Sequence, residues 1–132
     1  MKKSVQVILT TGPSDVARAV LGLHAALAAA ASGVEVDVFL TLDATEWACE
    51  PRDRIGGEEV YSLLDQLDGL GARITCCSAC ASEKCAQSQH DVCDLQLEDV
   101  GETAVVTHSA VRLTGLATLM ERVAGGVPTV TF

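Results

Sequence analysis

The sequence predicts a single three-layer α/β/α domain, residues 1-132, with helices on both faces of a mostly parallel sheet of about five strands. The first support is a strand–helix–strand unit. Ser4–Thr11 and Val34–Leu42 are nearly continuously apolar, as in strands covered on both faces. Between them, Val16–Ser32 has apolar residues at helical spacing, and such a crossover joins parallel strands. The second support is length, because 132 residues without an internal repeat suit one domain.

The rest of the chain continues this alternation of strands and helices. Runs rich in β-branched residues predict strands, and apolar residues at helical spacing predict helices. In chain order, these further elements are helix Glu58–Leu70, strand Arg73–Cys76, a helix from Ser78 to about Gln89, strand Thr103–Thr107, helix Val111–Ala124 and strand Thr129–Phe132.

Composition and charge exclude several classes of protein. Apolar residues make up 48% of the chain and charged residues 20%, which indicates a folded globule. The net charge of −9 argues against binding to nucleic acid or to an anionic membrane. The N-terminus lacks the features of a signal peptide, and no apolar run approaches the ~20 residues that span a bilayer. We therefore expect a cytoplasmic protein whose cysteines are reduced and reactive rather than joined in a disulfide framework.

The cysteines are concentrated in one stretch, Ala72–Cys93, which holds five of the six: Cys76, Cys77, Cys80, Cys85 and Cys93. Cys77 lies where a predicted strand ends and a predicted helix begins. The unpaired N–H groups and partial positive charge of a helix N-terminus favour thiolate over thiol. Thiols in such places can titrate at ~3.5–7.5 instead of ~8.5. The stretch therefore predicts a site of thiol chemistry.

Cys77 and Cys80 are the candidate catalytic pair, because they are one helical turn apart on one face. Lys84, four residues beyond Cys80, would bias the site further towards anions. Burial as two small apolar side chains is the simpler alternative, since free cysteine is often buried. The position at a strand end favours the reactive interpretation. The candidate auxiliary thiols are Cys76, Cys85, Cys93 and the outlying Cys49.

The same cysteines also permit a metal site. Cys77 and Cys80 form half of a zinc or iron–sulfur site. Candidates for the remaining ligands are Cys85, His90, Cys93 and Cys49. The spacings match no standard paired motif, and Cys80 and Cys85 would lie ~140° apart around a helix. The metal hypothesis therefore stands second, with Cys77, Cys80, Cys85 and Cys93 as its ligand set.

Two further residues follow predicted strands, at the edge where open parallel sheets bind ligands. His108 follows the predicted strand Thr103–Thr107 and is a candidate to polarise a ligand, although the pattern favours a structural role as a hydrogen-bonded residue at a strand end. Trp47 lies in the polar segment Asp43–Gly57 and is a candidate for a pocket or an oligomer interface.

Several short motifs together resemble the DsrE/DsrF-like (YchN-like) family of small cytoplasmic sulfur-handling proteins. They are Thr11–Asp15 before an Ala-rich helix, Gly33–Val36 followed by Phe39-Leu40, the cysteine turn Ile74–Cys80, and the closing Val130–Phe132. The resemblance covers nearly the whole chain and implies a flavodoxin-like fold. The family's reactive cysteine, at the end of the third strand, corresponds to Cys77. The second cysteine of one subgroup corresponds to Cys80.

The resemblance implies a sulfur relay. Cys77 would take sulfane sulfur from a donor as a persulfide and pass it to a partner thiol, with Cys80 as the resolving thiol. Donor and acceptor would be proteins or low-molecular-weight thiols. No cofactor is expected beyond the covalent persulfide, although Cys76, Cys85 and Cys93 depart from the family pattern and leave a metal possible. The chain would be a sulfur carrier or, if catalytic, a persulfide sulfurtransferase.

Two other functions and an oligomeric assembly are also compatible with the sequence. The alternatives are a metal-binding regulatory module and a thiol–disulfide redox protein, which would use the same cysteines. Val16–Ala31 carries one charged residue, Arg18, and a helix apolar nearly all round is buried on more than one side. We therefore expect a homo-oligomer, a trimer or hexamer by resemblance, with Leu21, Leu27 or Trp47 at its interface.

Overall fold

The computed structural model describes residues 3–49, 56–87 and 110–132. Its centre is a five-stranded sheet with the strand order β4-β3-β2-β1-β5, in which every pairing is parallel. The strands are β1 (Ser4–Leu9), β2 (Glu35–Leu40), β3 (Arg73–Cys77), β4 (Val111–Thr114) and β5 (Thr129–Thr131). The predicted α/β class with a parallel sheet is confirmed.

The described helices alternate with these strands. They are α1 (Val16–Ala31), α2 (Gly57–Gly69), α3 (Ser78–Gln87) and α4 (Leu116–Ala124). Two 3₁₀ segments, Pro13–Asp15 and Leu42–Ala48, follow β1 and β2. The second segment is called the β2–α2 turn below.

The predicted helix Val111–Ala124 is wrong in its first part. Val111–Thr114 is strand β4, which pairs with β3 from Ile74↔Val111 to Cys77↔Thr114, and the helix begins only at Leu116. Gly115, with extended backbone, separates the two elements. The apolar residues of a short strand continued the helical pattern of the following segment and concealed the boundary. The predicted strand Thr103–Thr107 lies outside the described residues.

Alternate residues of the strands supply two apolar cores on opposite faces of the sheet. On one face, the fully buried Leu9, Val38, Leu40 and Cys76 pack with side chains of α1 and α2. On the other face, Phe39 and Cys77 pack against Leu119 of α4. The sheet therefore lies between α1 and α2 on one side and α4 on the other.

An ion-pair cluster also joins α4 to the second face of the sheet. Asp37 of β2 is nearly buried, and its Oδ1 lies 2.8 Å from Arg73 Nε and 3.7 Å from Arg122 NH1 of α4. A carboxylate taken out of water needs such partners, because burial without them is costly. Asp37 therefore contributes to the position of α4 over the sheet.

The helical stretch Pro13–Ala31 passes a length-and-composition criterion for a membrane span, contrary to our expectation that no apolar run would. In the fold, α1 connects β1 to β2 and packs along α2. Its residues Ala19, Leu23 and Ala26 are fully buried. Burial in this strand–helix–strand unit thus accounts for part of the apolar composition, since 22% of the apolar window is buried.

Candidate functional site

The candidate site lies at the carboxyl ends of two central strands. The register of β2 and β3 pairs Leu40 with Cys76, so the next residues, Thr41 and Cys77, come together at this edge. In open parallel sheets, ligands bind outside the carboxyl ends of the strands. The β2–α2 turn follows Thr41 and packs on α3, which follows Cys77.

Cys80 is the thiol that the residues following β2 contact at this edge of the sheet. Its Sγ lies 3.4 Å from Thr41 Oγ1 and 3.4 Å from the backbone nitrogen of Leu42. Its side chain is partly exposed. Burial raises the pKa of Cys80, but hydrogen bonds with the Thr41 hydroxyl and the Leu42 N–H, and with the Cys77 and Thr45 side chains, outweigh it. The pKa therefore lies below its ordinary value, and the thiolate is favoured.

Leu42 provides its N–H from a sparsely populated backbone conformation. Its φ is 53°, and among the described residues it is the one non-glycine residue with positive φ. The left-handed region costs an L-residue about 1–2 kcal/mol. Its side chain is 57% exposed, so burial of the leucine does not explain the conformation. The strain coincides with a hydrogen bond to Cys80 Sγ, and strained backbone is common at functional sites.

Cys77 occupies the predicted position but is not accessible. As the last residue of β3, it directs its side chain onto the face covered by Phe39 and Leu119, and only 3% of it is exposed. Cys80 packs against the same cluster, so the two thiols are neighbours. The structure thus brings the predicted pair together, with the exposed position at Cys80 rather than at Cys77.

Cys76, one residue earlier, belongs to the opposite face of the sheet. It is 0% exposed among the core residues beneath α1 and α2. Burial raises the pKa of Cys76 to about 12, the Thr45 side chain opposing this only in part. Cys76 is therefore a neutral core thiol, unlike the auxiliary reactive thiol that we predicted.

Cys49 and Cys85 form a disulfide, which the sequence analysis did not foresee. Their Cα atoms are 5.2 Å apart, and the bond links residues separated by 36 positions. Both side chains are buried. The expectation of reduced cysteines is wrong for this pair, because the β2–α2 turn carries Cys49 back over α3, where Cys85 lies. Neither residue is then a free auxiliary thiol, and Cys85 is not available as a metal ligand.

Lys84 interacts with Asp43 of the β2–α2 turn. Its Nζ lies 3.1 Å from Asp43 Oδ1, and this hydrogen bond raises the pKa of Lys84. Part of the charge that we expected to favour anions is thus compensated by a carboxylate. The pair instead joins α3 to the turn, as the disulfide does further along.

The metal hypothesis has a reduced set of ligands. Across residues 3–49, 56–87 and 110–132, no three His, Cys, Asp or Glu side chains are grouped as a metal site requires. Cys93, His90 and His108 lie outside the described residues, so their predicted roles stay predictions. Cys77 and Cys80 supply two sulfur atoms, half of what a tetrahedral zinc site uses.

Trp47 is a core residue, and its predicted place in a pocket or an interface is wrong. The side chain is 0% exposed, and its Nε1–H donates a hydrogen bond of 2.9 Å to the carbonyl oxygen of Thr11. A buried indole needs such an acceptor. The bond fixes the β2–α2 turn to the end of β1, which helps to position Thr41 and Leu42.

Sequence reasoning missed Thr41 and Leu42. Both follow strand β2, and their place at the carboxyl edge was available from the predicted strands. A backbone N–H has no sequence signature, because every residue except proline carries one. No residue type announces the left-handed conformation of Leu42, because a leucine there is unusual.

Comparisons with known proteins agree with this architecture. The ychN protein from E. coli, a crystal structure, superposes with a TM-score of 0.71 at 16% identity, with 100% of both chains covered. A conserved protein of unknown function from Bacteroides thetaiotaomicron gives a TM-score of 0.61 at 13% identity, covering 98% of this chain and 95% of the other. No curated protein matches the chain. Residues 3–129 match the DsrE/DsrF-like family. The chain therefore belongs to the DsrE/DsrF-like family.

Proposed function

We propose that the protein carries sulfane sulfur as a persulfide of Cys80 and passes it to a partner thiol. The observation that carries the proposal is a partly exposed thiol whose Sγ accepts a hydrogen bond from the Leu42 N–H and lies 3.4 Å from the Thr41 hydroxyl, which can donate a second one to a thiolate. A nucleophilic cysteine must be both accessible and deprotonated, and these contacts favour the thiolate. The family's association with sulfur relay supports the same chemistry.

The loading step transfers one sulfur atom between thiols. The Cys80 thiolate attacks the outer sulfur of a donor persulfide, R–S–SH. A new S–S bond forms on Cys80 while the donor's S–S bond breaks, and the donor leaves as the thiolate R–S⁻. Sulfane sulfur moves, and no external oxidant or reductant is consumed.

Cys77 then suits the role of resolving thiol. It neighbours Cys80 and is almost completely buried, so a bulky donor reaches Cys80 more readily. When no acceptor thiol takes the sulfur, Cys77 can, after deprotonation, attack Cys80 Sγ, expel HS⁻ and form a Cys77–Cys80 disulfide, a reaction that competes with the relay. Exposure and hydrogen bonding therefore favour the reverse of the roles that the family resemblance implied, in which Cys77 attacks and Cys80 resolves.

Mass spectrometry of the intact protein after anaerobic incubation with polysulfide tests the proposal. We expect the wild type and Cys77→Ser to gain one sulfur atom, while Cys80→Ser does not. Cys76→Ala is the matched control, because it removes a buried thiol four residues away. Sulfur gain by Cys80→Ser equal to that of wild type would refute Cys80 as the carrier, and no gain by wild type would refute the relay.

A second function, thiol–disulfide exchange, is favoured by one observation. The domain holds a formed disulfide, Cys49–Cys85, and the neighbouring thiols Cys77 and Cys80. A redox protein would react with peroxide to form a Cys77–Cys80 disulfide. Comparing hydrogen peroxide with polysulfide as the oxidant of Cys80 separates the two functions, because a relay reacts faster with polysulfide.

The remaining parts of the proposal concern partners, location and assembly. Donor and acceptor would be proteins or small thiols in the cytoplasm. The exposed apolar side chains Leu116, Met120 and Val123 follow one another along α4, and Leu21 is exposed on α1, which supports a homo-oligomer. A trimer or hexamer is what the family resemblance implies. Light scattering tests this, since a mass near 13.7 kDa would indicate a monomer.

A further inference from the structure

The hydrogen bonds at Cys80 reach one particular sulfur atom. Thr41 Oγ1 and Leu42 N both lie 3.4 Å from Sγ, the atom bonded to the cysteine Cβ. In a Cys80 persulfide, this atom becomes the inner sulfur, and the transferable sulfur is the outer one. The two donors thus distinguish the two sulfurs of a persulfide.

The two sulfurs of a persulfide lead to different products. If an acceptor thiolate R–S⁻ attacks the outer sulfur, R–S–SH forms and Cys80 leaves as the thiolate. If a thiolate attacks Sγ instead, a disulfide with Cys80 forms and HS⁻ leaves. Both reactions balance without a further reactant. The first relays sulfane sulfur, whereas the second loses it as sulfide.

The rate of each reaction depends on its leaving group, because a thiolate that is stabilised leaves faster. Hydrogen bonds to a charged sulfur are stronger than bonds to a neutral one. The donors at Sγ therefore assist the departure of Cys80 and give no comparable help to departing HS⁻. They favour attack at the outer sulfur.

We propose that Thr41 and Leu42 determine the fate of the persulfide, directing it to transfer to an acceptor thiol instead of release as sulfide. The inference rests on the proposed sulfur relay and adds a determinant of its product. The competing attack at Sγ has an internal nucleophile, because Cys77 lies beside Cys80. A relay therefore needs a device that opposes resolution, and the two donors supply it.

Three interactions hold the β2–α2 turn, which begins at Leu42 and follows Thr41. The Lys84–Asp43 pair and the Cys49–Cys85 disulfide join the β2–α2 turn to α3, and Trp47 bonds the turn to the carbonyl of Thr11. Donors fixed before the reaction stabilise a developing charge without a cost of reorganisation. The arrangement thus suits the stabilisation of a leaving thiolate.

The test compares Thr41→Val, which removes the hydroxyl at nearly constant shape, with Thr41→Ser, which keeps it. Thr10→Val is the matched control, because Thr10 Oγ1 donates to the Phe132 carbonyl, 2.9 Å away, at the end of the neighbouring strand β1. Each protein is loaded with polysulfide without oxygen, freed of excess and mixed with glutathione. Glutathione persulfide and free sulfide are then measured in the same sample.

We expect the ratio of sulfide to glutathione persulfide to rise about three- to tenfold in Thr41→Val, the effect of one hydrogen bond. Thr41→Ser and Thr10→Val should match the wild type. An unchanged ratio in Thr41→Val, or an equal rise in Thr41→Ser, would overturn the inference. If Thr41→Val does not fold, Thr41→Ala decides by the same criterion. Failure of the wild type to load sulfur refutes the proposed relay instead, and intact mass detects it before glutathione is added.

Discussion

Cys76, at the end of β3, and Cys80, in the first turn of α3, lie four residues apart in one cysteine-rich stretch, yet their environments are opposite. Burial beneath α1 and α2 raises the pKa of Cys76 to about 12. Cys80 is hydrogen-bonded to Thr41 and Leu42, which together with the Cys77 and Thr45 side chains bring its pKa below the ordinary value. The pKa of a cysteine in this stretch thus depends on the segment packed against it.

The largest expected difference is the rate of alkylation. At pH 7, a thiol with a pKa of about 12 has a thiolate fraction roughly 10³-fold below that of an ordinary thiol, and burial adds to the difference. We expect iodoacetamide to modify Cys80 at least about 10³-fold faster than Cys76 in the native protein. Peptide-resolved mass spectrometry over time measures both rates. Equal rates would contradict the difference between the environments of Cys76 and Cys80.

Removing the disulfide that secures the β2–α2 turn should lower stability and reactivity together. In Cys49→Ala/Cys85→Ala, the cross-link over 36 positions is lost. We expect a decrease of about 2–4 kcal/mol in the free energy of unfolding, measured with urea. Alkylation of Cys80 at neutral pH should slow, because the donors of the turn are less firmly held.

A reductant supplies the control for this double variant. An excess of dithiol that reduces the wild-type disulfide should reproduce the loss of stability and leave the double variant unchanged. If the urea midpoint of the wild type is unchanged after complete reduction, the disulfide does not secure the turn.

Alkaline pH should act through Cys76. Its folded pKa, about 12, exceeds the ordinary value of 9.0, so its contribution is fully present below pH 9.0 and is lost as pH rises towards 12. The slope is at most about 1.4 kcal/mol per pH unit. Unfolding measured from pH 8 to pH 11 should show a shallower decline in Cys76→Ala than in wild type. Parallel declines would contradict a neutral buried thiol at this position.

The smallest expected effect concerns the backbone of Leu42. At φ 53°, glycine avoids the steric cost that any L-residue incurs. We expect Leu42→Gly to be about 1 kcal/mol more stable to urea than Leu42→Ala, which retains the strain and removes the same side chain. Equal stabilities would mean that the conformation is not strained.

The fold was largely predictable, because strand–helix–strand units have strong local signals. Ser4–Thr11 and Val34–Leu42 contain the observed β1 and β2, and Arg73–Cys76 lacks only the last residue of β3. The strand Val111–Thr114 was missed because four residues at a sheet edge carry too short a pattern to interrupt a helical one. Pairing with β3, a long-range interaction, decides its structure.

The candidate site was predictable in its location and pair of thiols, but not in its detail. The sequence places Cys77 at the end of a predicted strand and Cys80 in the first turn of the next helix, and β3 and α3 meet between these two residues. The side of the sheet that Cys77 faces, and the pairing of Cys49 with Cys85, depend on how the β2–α2 turn packs on α3. Contacts between segments so distant in sequence leave no local pattern.

The location of the added sulfur atom in the wild-type protein tests most directly whether Cys80 is the carrier. Brief anaerobic treatment with less than one equivalent of polysulfide, then alkylation and trypsin, yields the peptide Ile74–Lys84, which contains Cys76, Cys77 and Cys80. Fragment ions of this peptide locate the added sulfur atom. We predict that the added sulfur lies on Cys80, and a persulfide found mainly on Cys77 or Cys76 would contradict this assignment.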